Sequence, residues 1–266
     1  MSRTRLAVGA FIAIIHRDLV VTAREFIRFL LQALMQPLFI LFIFGKVLPS
    51  IGLASGNFAF LMLPGIVALS GMIAAMQGVT LPLVLDLGFA REIDDRLLSP
   101  LPVWSVALEK VLYGAFRGAI ASTVIFPLGR LILGSGYAVR TDRLPQLVGM
   151  VVLTSLVGSG IGLLMGTVIK ADQISLMFTL IFTPLLFTGC TYYPWGALGK
   201  IHWFQIVTLF NPLTYCSEGL RYAMVPPIAG HELKTLDPSV ILIALGLSTA
   251  IMFILGTLTF QRRVVS

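Results

Sequence analysis

Six apolar stretches, each near the ~20 residues that a helix needs to cross a bilayer, dominate this chain and are parted by short polar or turn-rich runs. They run from about Phe29 to Leu48, Phe58 to Val84, Val106 to Leu133, Leu147 to Ile169, Ile174 to Cys190 and Val240 to Phe260. At about 1.5 Å per helical residue each spans ~30 Å of hydrocarbon, with slack for tilt. A soluble fold has nowhere to put them. The residues are 57% hydrophobic and 12% charged, whereas an ordinary soluble domain carries about 25% charged residues. A soluble body of 266 residues could not hide so much apolar surface from water. The expected fold class is an all-α membrane protein with six transmembrane helices, forming one transmembrane domain over residues 1–266.

Two regions depart from that pattern. The N-terminus is basic and then apolar from Leu6 to Ile15, like the start of a signal peptide. His16-Arg17-Asp18 follows, with no small-residue cleavage site in place, so the segment reads as retained. At 3.6-residue spacing Arg17, Arg24 and Arg28 share one side with Asp18, Thr22 and Glu25, while Leu19, Val20, Ala23, Phe26, Ile27 and Leu30 take the other. That predicts an amphipathic interfacial helix within residues 1–28.

Residues 191–238 are too apolar for a surface loop and too broken for a span. Pro194, Pro212, Pro226 and Pro227 interrupt them, and Tyr192, Tyr193, Trp195, Trp203, Phe204, Tyr215 and Tyr222 crowd them. Short helices re-entering the outer leaflet account for both features, since aromatic rings favour the interface and broken helices are tolerated against protein.

Lys and Arg set the orientation. With the N-terminus inside, eleven fall on inner segments and seven on outer ones, and an even number of spans then puts both termini in the cytoplasm. The net charge of +7 reads as basic loops facing anionic head groups. No basic patch interleaved with aromatics points to nucleic acid. Cys190 and Cys216 lack a C-x-x-C spacing and a nearby histidine, so no metal site is expected. Both fall toward the outer side, which leaves a disulfide between them open.

Small residues mark packing faces. Thr154, Gly158, Gly162 and Gly166 repeat every fourth position on the fourth span, and Gly114, Gly118 and Ser122 do so on the third. Such stripes let backbones approach closely, in the same chain or a second one.

Enzyme signatures are missing. Gly45-Lys46 and Gly199-Lys200 lack the rest of a phosphate loop. There is no H-E-x-x-H, no G-x-S-x-G and no G-x-G-x-x-G, and His16, His202 and His231 are scattered. If ATP drives this protein, another polypeptide binds it.

The polar stretch 86–100 holds Arg91-Glu92-Ile93-Asp94-Asp95-Arg96-Leu97-Leu98-Ser99-Pro100, short, densely charged and cytoplasmic in this topology. Ile93, Leu97 and Leu98 form an apolar ridge beside the charges of Asp94, Asp95 and Arg96. The residues alone fit either a short helix docking in a groove of a soluble partner or a solvated loop.

A family resemblance separates these readings. Asp95-Arg96-Leu97-Leu98-Ser99-Pro100, followed by Lys110-Val111-Leu112, looks like the central signature of type-2 ABC exporter permeases, which include drug, lipid, polysaccharide and nodulation-factor exporters. Asn211-Pro212-Leu213-Thr214-Tyr215, with Glu218, Leu220 and Arg221 beyond, resembles their second signature. Phe187-Thr188-Gly189 with Tyr193-Pro194 resembles the outer end of their fifth helix. Ile93-Asp94 stands where many members carry Gly-Thr. The resemblance implies a permease subunit without its own cofactor, paired with a second permease, identical or homologous. It implies two separate ATPase subunits that bind ATP and Mg. It further implies that Glu92 to Pro100 form the helix coupling permease to ATPase, and that the cargo is amphipathic, drug-like or lipid-linked and moves outward across the bacterial inner membrane.

Few ionisable residues fall within the spans. Arg117 sits well inside the third, with Glu109 and Tyr113 at i−8 and i−4. It reads either as a contact to an anionic substrate or lipid head group, or as a pair or snorkelling cation within the bundle. Glu218 and Arg221 are i, i+3 on a helix and are expected to satisfy each other. Tyr215 and Tyr222 flank Glu218 at i−3 and i+4, so the three share a face turned to the pathway or to the bundle. An ion-coupled secondary transporter is the alternative function. It would place acids along a path through the spans, where Asp and Glu are nearly absent.

Overall fold

In the computed structural model the described residues are 3–53, 58–90, 102–134, 137, 139–227 and 233–265. They are helical, with no strand among them. We label the helices α1 (Arg3–Arg24), α2 (Phe26–Phe42), α3 (Phe58–Leu85), α4 (Val103–Leu133), α5 (Leu144–Val168), α6 (Ile174–Thr188), α7 (His202–Thr208), α8 (Pro212–Met224) and α9 (Pro238–Val265). Among the described residues six segments are long and apolar enough to span a bilayer: Phe26–Ser50, Phe58–Gly88, Val103–Leu133, Leu144–Val168, Ala171–Thr188 and Pro238–Arg263. They coincide with the six apolar stretches, most of them a few residues longer. Pro37, Pro64, Pro82, Pro127 and Pro184 lie inside them, where neighbouring helices can satisfy the carbonyls that proline frees.

The first span begins at Phe26 rather than Phe29, because the chain leaves helical geometry only at Glu25 (φ −104°, ψ 19°). Arg28 therefore belongs to α2 and not to the N-terminal helix. Gly134, at φ +55°, ends α4, a conformation that costs any other residue more. Past Leu85 the helix of α3 continues in wider turns through Asp86–Ala90.

α3 is the hub of the bundle: 78% of its apolar window is buried inside the chain, against none of that of the Ala171–Thr188 span. The glycine stripes explain how neighbours come so close. A Cβ on Gly158 would lie 2.6 Å from the Met72 carbonyl oxygen, and one on Gly162 2.6 Å from that of Met76. On Gly166 it would meet the Leu83 side chain at 2.9 Å. The stripe of α5 thus seats on α3 of the same chain. Gly114 and Gly118 of α4 approach α3 through Val79 and Gly71, and Ser122 donates to the Val67 carbonyl at 3.0 Å. Ser159 and Ser155 of α5 close the third side. Three helices meet on small residues, where van der Waals contact replaces the hydrophobic driving force that lipid does not supply.

One apolar cluster gathers the ends of five helices. Val79 and Leu83 of α3, Val106 and Val111 of α4, Leu163 of α5 and Phe260 of α9 pack together, with Phe11 and Ile14 of α1 against them. The N-terminal helix and the C-terminal end of α9 therefore share one end of the bundle, as an even number of crossings requires. Arg263 ties that end shut by donating to the carbonyls of Thr167 (2.7 Å) and Ile169 (3.0 Å), where a cation complements the C-terminal dipole of α5.

Within region 191–238 the described residues form short helices. A 3-10 helix over Trp195–Lys200 (6 residues) leads into α7 (7 residues) and α8 (13 residues). At ~1.5 Å per residue none reaches the ~30 Å of a span.

Candidate functional site

Polar chemistry collects at the two ends of the bundle. At the end shared by the termini, α1 lies against the start of α4. Lys110 Nζ reaches Asp18 Oδ2 at 3.1 Å, with both side chains at most 10% exposed, and Arg17 Nε meets Asp18 Oδ1 at 3.3 Å. Glu109 is buried beside Lys110, at 3.9 Å. Thr22 and Tyr113 share a hydrogen bond of 2.5 Å between their hydroxyls.

These contacts show that part of the polar side of α1 packs on protein. Asp18 and Thr22 do share a side with Arg17, but they are buried against α4. A buried carboxylate needs a counter-charge, and Lys110 supplies it. Lys110 likewise is a bundle residue and not an exposed basic side chain. Arg24 ends α1 and Arg28 faces Glu25 across 3.6 Å in an exposed pair.

Arg117 lies near the middle of α4, as its sequence position implies. The helix runs about 21 Å from Arg117 back to Val103. Its guanidinium carbon lies 4.4 Å from the centre of the Phe29 ring, near the start of α2, and 5.8 Å from that of Tyr113. Of the two neighbours that the spacing offered, Tyr113 meets the guanidinium, and Phe29 adds a second aromatic face; both hold a cation by the ring quadrupole.

The coupling residues Glu92, Asp94, Asp95, Arg96, Leu97, Leu98 and Pro100 lie outside the described residues. α3 and its continuation lead out to Ala90 at the end where α4 enters at Val103, the same end as α1.

At the opposite end Glu218 and Arg221 meet on α8, both fully buried. Arg221 also donates from Nε to the Leu61 carbonyl (3.2 Å) and from Nη2 to the Cys190 carbonyl (3.0 Å). Glu218 Oε1 accepts the backbone N–H of Trp195 at 3.0 Å. One ion pair thus fastens α8 to α3 and to the turn after α6. Cys190 holds that turn in the left-handed region, φ +49°. Cys190 and Cys216 are free thiols, both buried, so the disulfide left open by their placement is not formed.

Glu218 faces the bundle. Tyr215 donates instead to the Leu209 carbonyl at 2.9 Å, and Tyr222 lies under the Arg143 guanidinium at 4.2 Å. The three side chains have separate partners. In the loop before α5, Arg140 grips Asp142 through two hydrogen bonds of 3.1 and 2.8 Å, which hold the Asp142 carboxyl below the usual carboxylate range. The Arg140 backbone donates to the Met224 carbonyl at 2.9 Å and Arg143 to that of Tyr222 at 3.3 Å, so this loop covers the C-terminus of α8.

Asn211 is a residue whose work is not evident from composition. Its Oδ1 accepts the Leu213 N–H at 2.9 Å, capping α8, and Pro212 takes the first helical position, where no donor is lost. Its Nδ2 donates to the Leu185 carbonyl (2.9 Å) and the Thr188 hydroxyl (2.8 Å), joining the cap to the end of α6. The Asn-Pro pair was the available signal.

The family model described as ABC-2 type transporter matches residues 9–225. Among curated proteins the chain is similar to the inner membrane transport permease YadH of Escherichia coli (strain K12). The two are 27% identical over 208 residues, covering 76% of this chain and 78% of that protein. The YadH proteins of Escherichia coli O157:H7 and Shigella flexneri match to the same extent.

Proposed function

The chain belongs to the ABC-2 type transporter family and is a multi-pass inner-membrane permease subunit, and from that premise we propose that it exports an amphipathic, drug-like or lipid-linked molecule. Two copies, or this chain and a homologous permease, form the pathway. Two separate ATPase subunits bind ATP and Mg and drive it. Both termini and the segment Glu92 to Pro100 face the cytoplasm, and that segment couples the ATPase to the bundle. The short helices between α6 and α9 lie in the outer leaflet.

The observation that supports this reading is where the helices flanking residues 91–101 end. The end of α3 and the start of α4 lie at the end of the bundle that also holds α1 and the C-terminal end of α9. Through the Asp18–Lys110 contact, a push on the connection reaches α1 and the start of α4 together. The apolar face of α6, unburied within one chain, is where a second permease packs.

Charge reversal tests the coupling. Asp95→Arg and Arg96→Glu should each lower transport and ATP turnover together while expression holds. Because an exposed ion pair is worth only ~0–1 kcal/mol, the double variant is expected to be lower by about tenfold. Normal, cargo-stimulated turnover in all three variants removes this segment from the mechanism.

Orientation has its own measurement. Single cysteines at Arg3, Arg263 and Lys234, in a background lacking Cys190 and Cys216, should react with a membrane-impermeant thiol reagent from opposite faces. Positions 3 and 263 are expected to label from inside and 234 from outside; labelling of 3 and 234 from one side overturns the topology.

A further inference from the structure

Arg117 borders a cavity of about 400 Å³ between α2, α3 and α4, at the end of the bundle shared by the termini. That volume is in the ~300–1,000 Å³ range of small-molecule sites. Its walls are amphipathic: Phe29, Ala33 and Leu81 supply apolar surface, Gln32 and Gln77 supply amides, and Glu25 and Asp86 stand at its border with Arg117. Gly78 makes room for the arginine, since a Cβ there would lie 3.1 Å from Arg117 Cδ.

Among the described residues no carboxylate forms an ion pair with Arg117. Its Nε is buried without a hydrogen-bond partner. The carboxylates nearby are committed elsewhere: Glu25 faces Arg28 at 3.6 Å and Asp18 faces Lys110 at 3.1 Å, and Asp86, on the same cavity, has its own interaction. The Phe29 ring offsets part of the desolvation but accepts no N–H from Nε. A buried donor left unpaired asks for an acceptor, and a guanidinium in a membrane protein is best matched by a planar oxyanion or a phosphate.

Resting on the membrane placement proposed above, we infer that this cavity binds the phosphate of a phospholipid of the inner leaflet, with Arg117 as its counter-charge. The phosphodiester accepts from the Arg117 guanidinium and the amides of Gln32 and Gln77. The acyl chains leave along the apolar wall. Basic pockets between spanning helices at the cytoplasmic side recognise head groups by the same logic.

The test uses the purified full-length permease in neutral detergent, without any ATPase, so that its outcome is independent of the transport reading. Thermal unfolding is followed while dihexanoyl-phosphatidylglycerol, dihexanoylglycerol or inorganic phosphate is added. The wild type should be stabilised by the phospholipid only. Arg117→Gln should need at least about tenfold more of it for the same shift, equivalent to ~1.4 kcal/mol. Gln32→Phe, at an exposed position, should weaken the response by narrowing the cavity with Arg117 intact; it decides the matter alone if the arginine variant does not fold. Three results overturn the inference: equal stabilisation by the uncharged diacylglycerol, equal stabilisation by free phosphate, or a phospholipid response unchanged in the variants.

Discussion

Replacing Glu218 by alanine while Arg221 stays in place is expected to cost the fold on the order of 3–5 kcal/mol. Purified protein should lose about 10 °C in melting temperature. The magnitude follows from burial. Arg221 is fully buried and bonds Glu218 and the carbonyls of Leu61 and Cys190. The carbonyls are neutral dipoles, so the carboxylate is the only charge among these partners that balances the guanidinium. Without it a cation stays inside the bundle uncompensated, which costs more than the pair itself is worth. Arg221→Ala should be similarly harmful, since it strands the Glu218 carboxylate and frees two carbonyls. The double variant Glu218→Leu/Arg221→Met removes both charges and should recover much of the loss. A Glu218→Ala protein melting within about 1 °C of the wild type would mean that this pair does not hold α8 to α3.

Gly65→Ala should be the most damaging single-methyl addition. A Cβ there would lie 1.9 Å from the Thr191 carbonyl oxygen, 2.6 Å from its carbonyl carbon and 2.7 Å from its Cα. Every one of these atoms is backbone, so no rotamer change relieves the clash, and the crossing of the 191 turn over α3 must open. Overpacking of this kind costs about 1–3 kcal/mol and occasionally more. The control is Gly149→Ala, where nothing lies within 4 Å of the new atom and the helix gains a better former. The two damaging changes act on one joint. Moving the turn away from α3 also separates Cys190 from Leu61, the carbonyls that Arg221 bridges. Gly65→Ala combined with Glu218→Ala should therefore cost less than the sum of the two, as expected for sites with shared partners. Additive losses would show that the turn and the ion pair are independent.

Apolar length and small-residue spacing made the bundle legible before any coordinates. The six stretches are the six spans, because a lipid solvent leaves little choice for such segments. The Gly158, Gly162 and Gly166 stripe marked a close approach, yet only the structure identifies α3 as its partner. Glu218 and Arg221 were readable as a pair from i, i+3 spacing. Their carbonyl partners were not, since Leu61 and Cys190 are brought there by tertiary folding. The burial of Asp18 and Thr22 was not readable for a related reason: periodicity says that polar residues share a face, but not which neighbour covers it. Tyr113 was readable as a neighbour of Arg117 from i, i+4 spacing within α4, but Phe29 was not, because it comes from α2. Asn211 illustrates the converse, a short motif whose cap geometry was local enough to be read but whose tie to α6 was not.

The central claim is that ATP hydrolysed by a partner drives outward movement through this bundle. The direct measurement reconstitutes the permease with its partner ATPase in proteoliposomes and follows a fluorescent amphiphile. Accumulation in liposomes whose ATPase faces the bath should require ATP and Mg. It should vanish when the phosphate-loop lysine of the ATPase is replaced, and it should persist when ion gradients are collapsed. Transport that proceeds without ATP and follows an imposed proton or sodium gradient would contradict the account and establish the ion-coupled alternative.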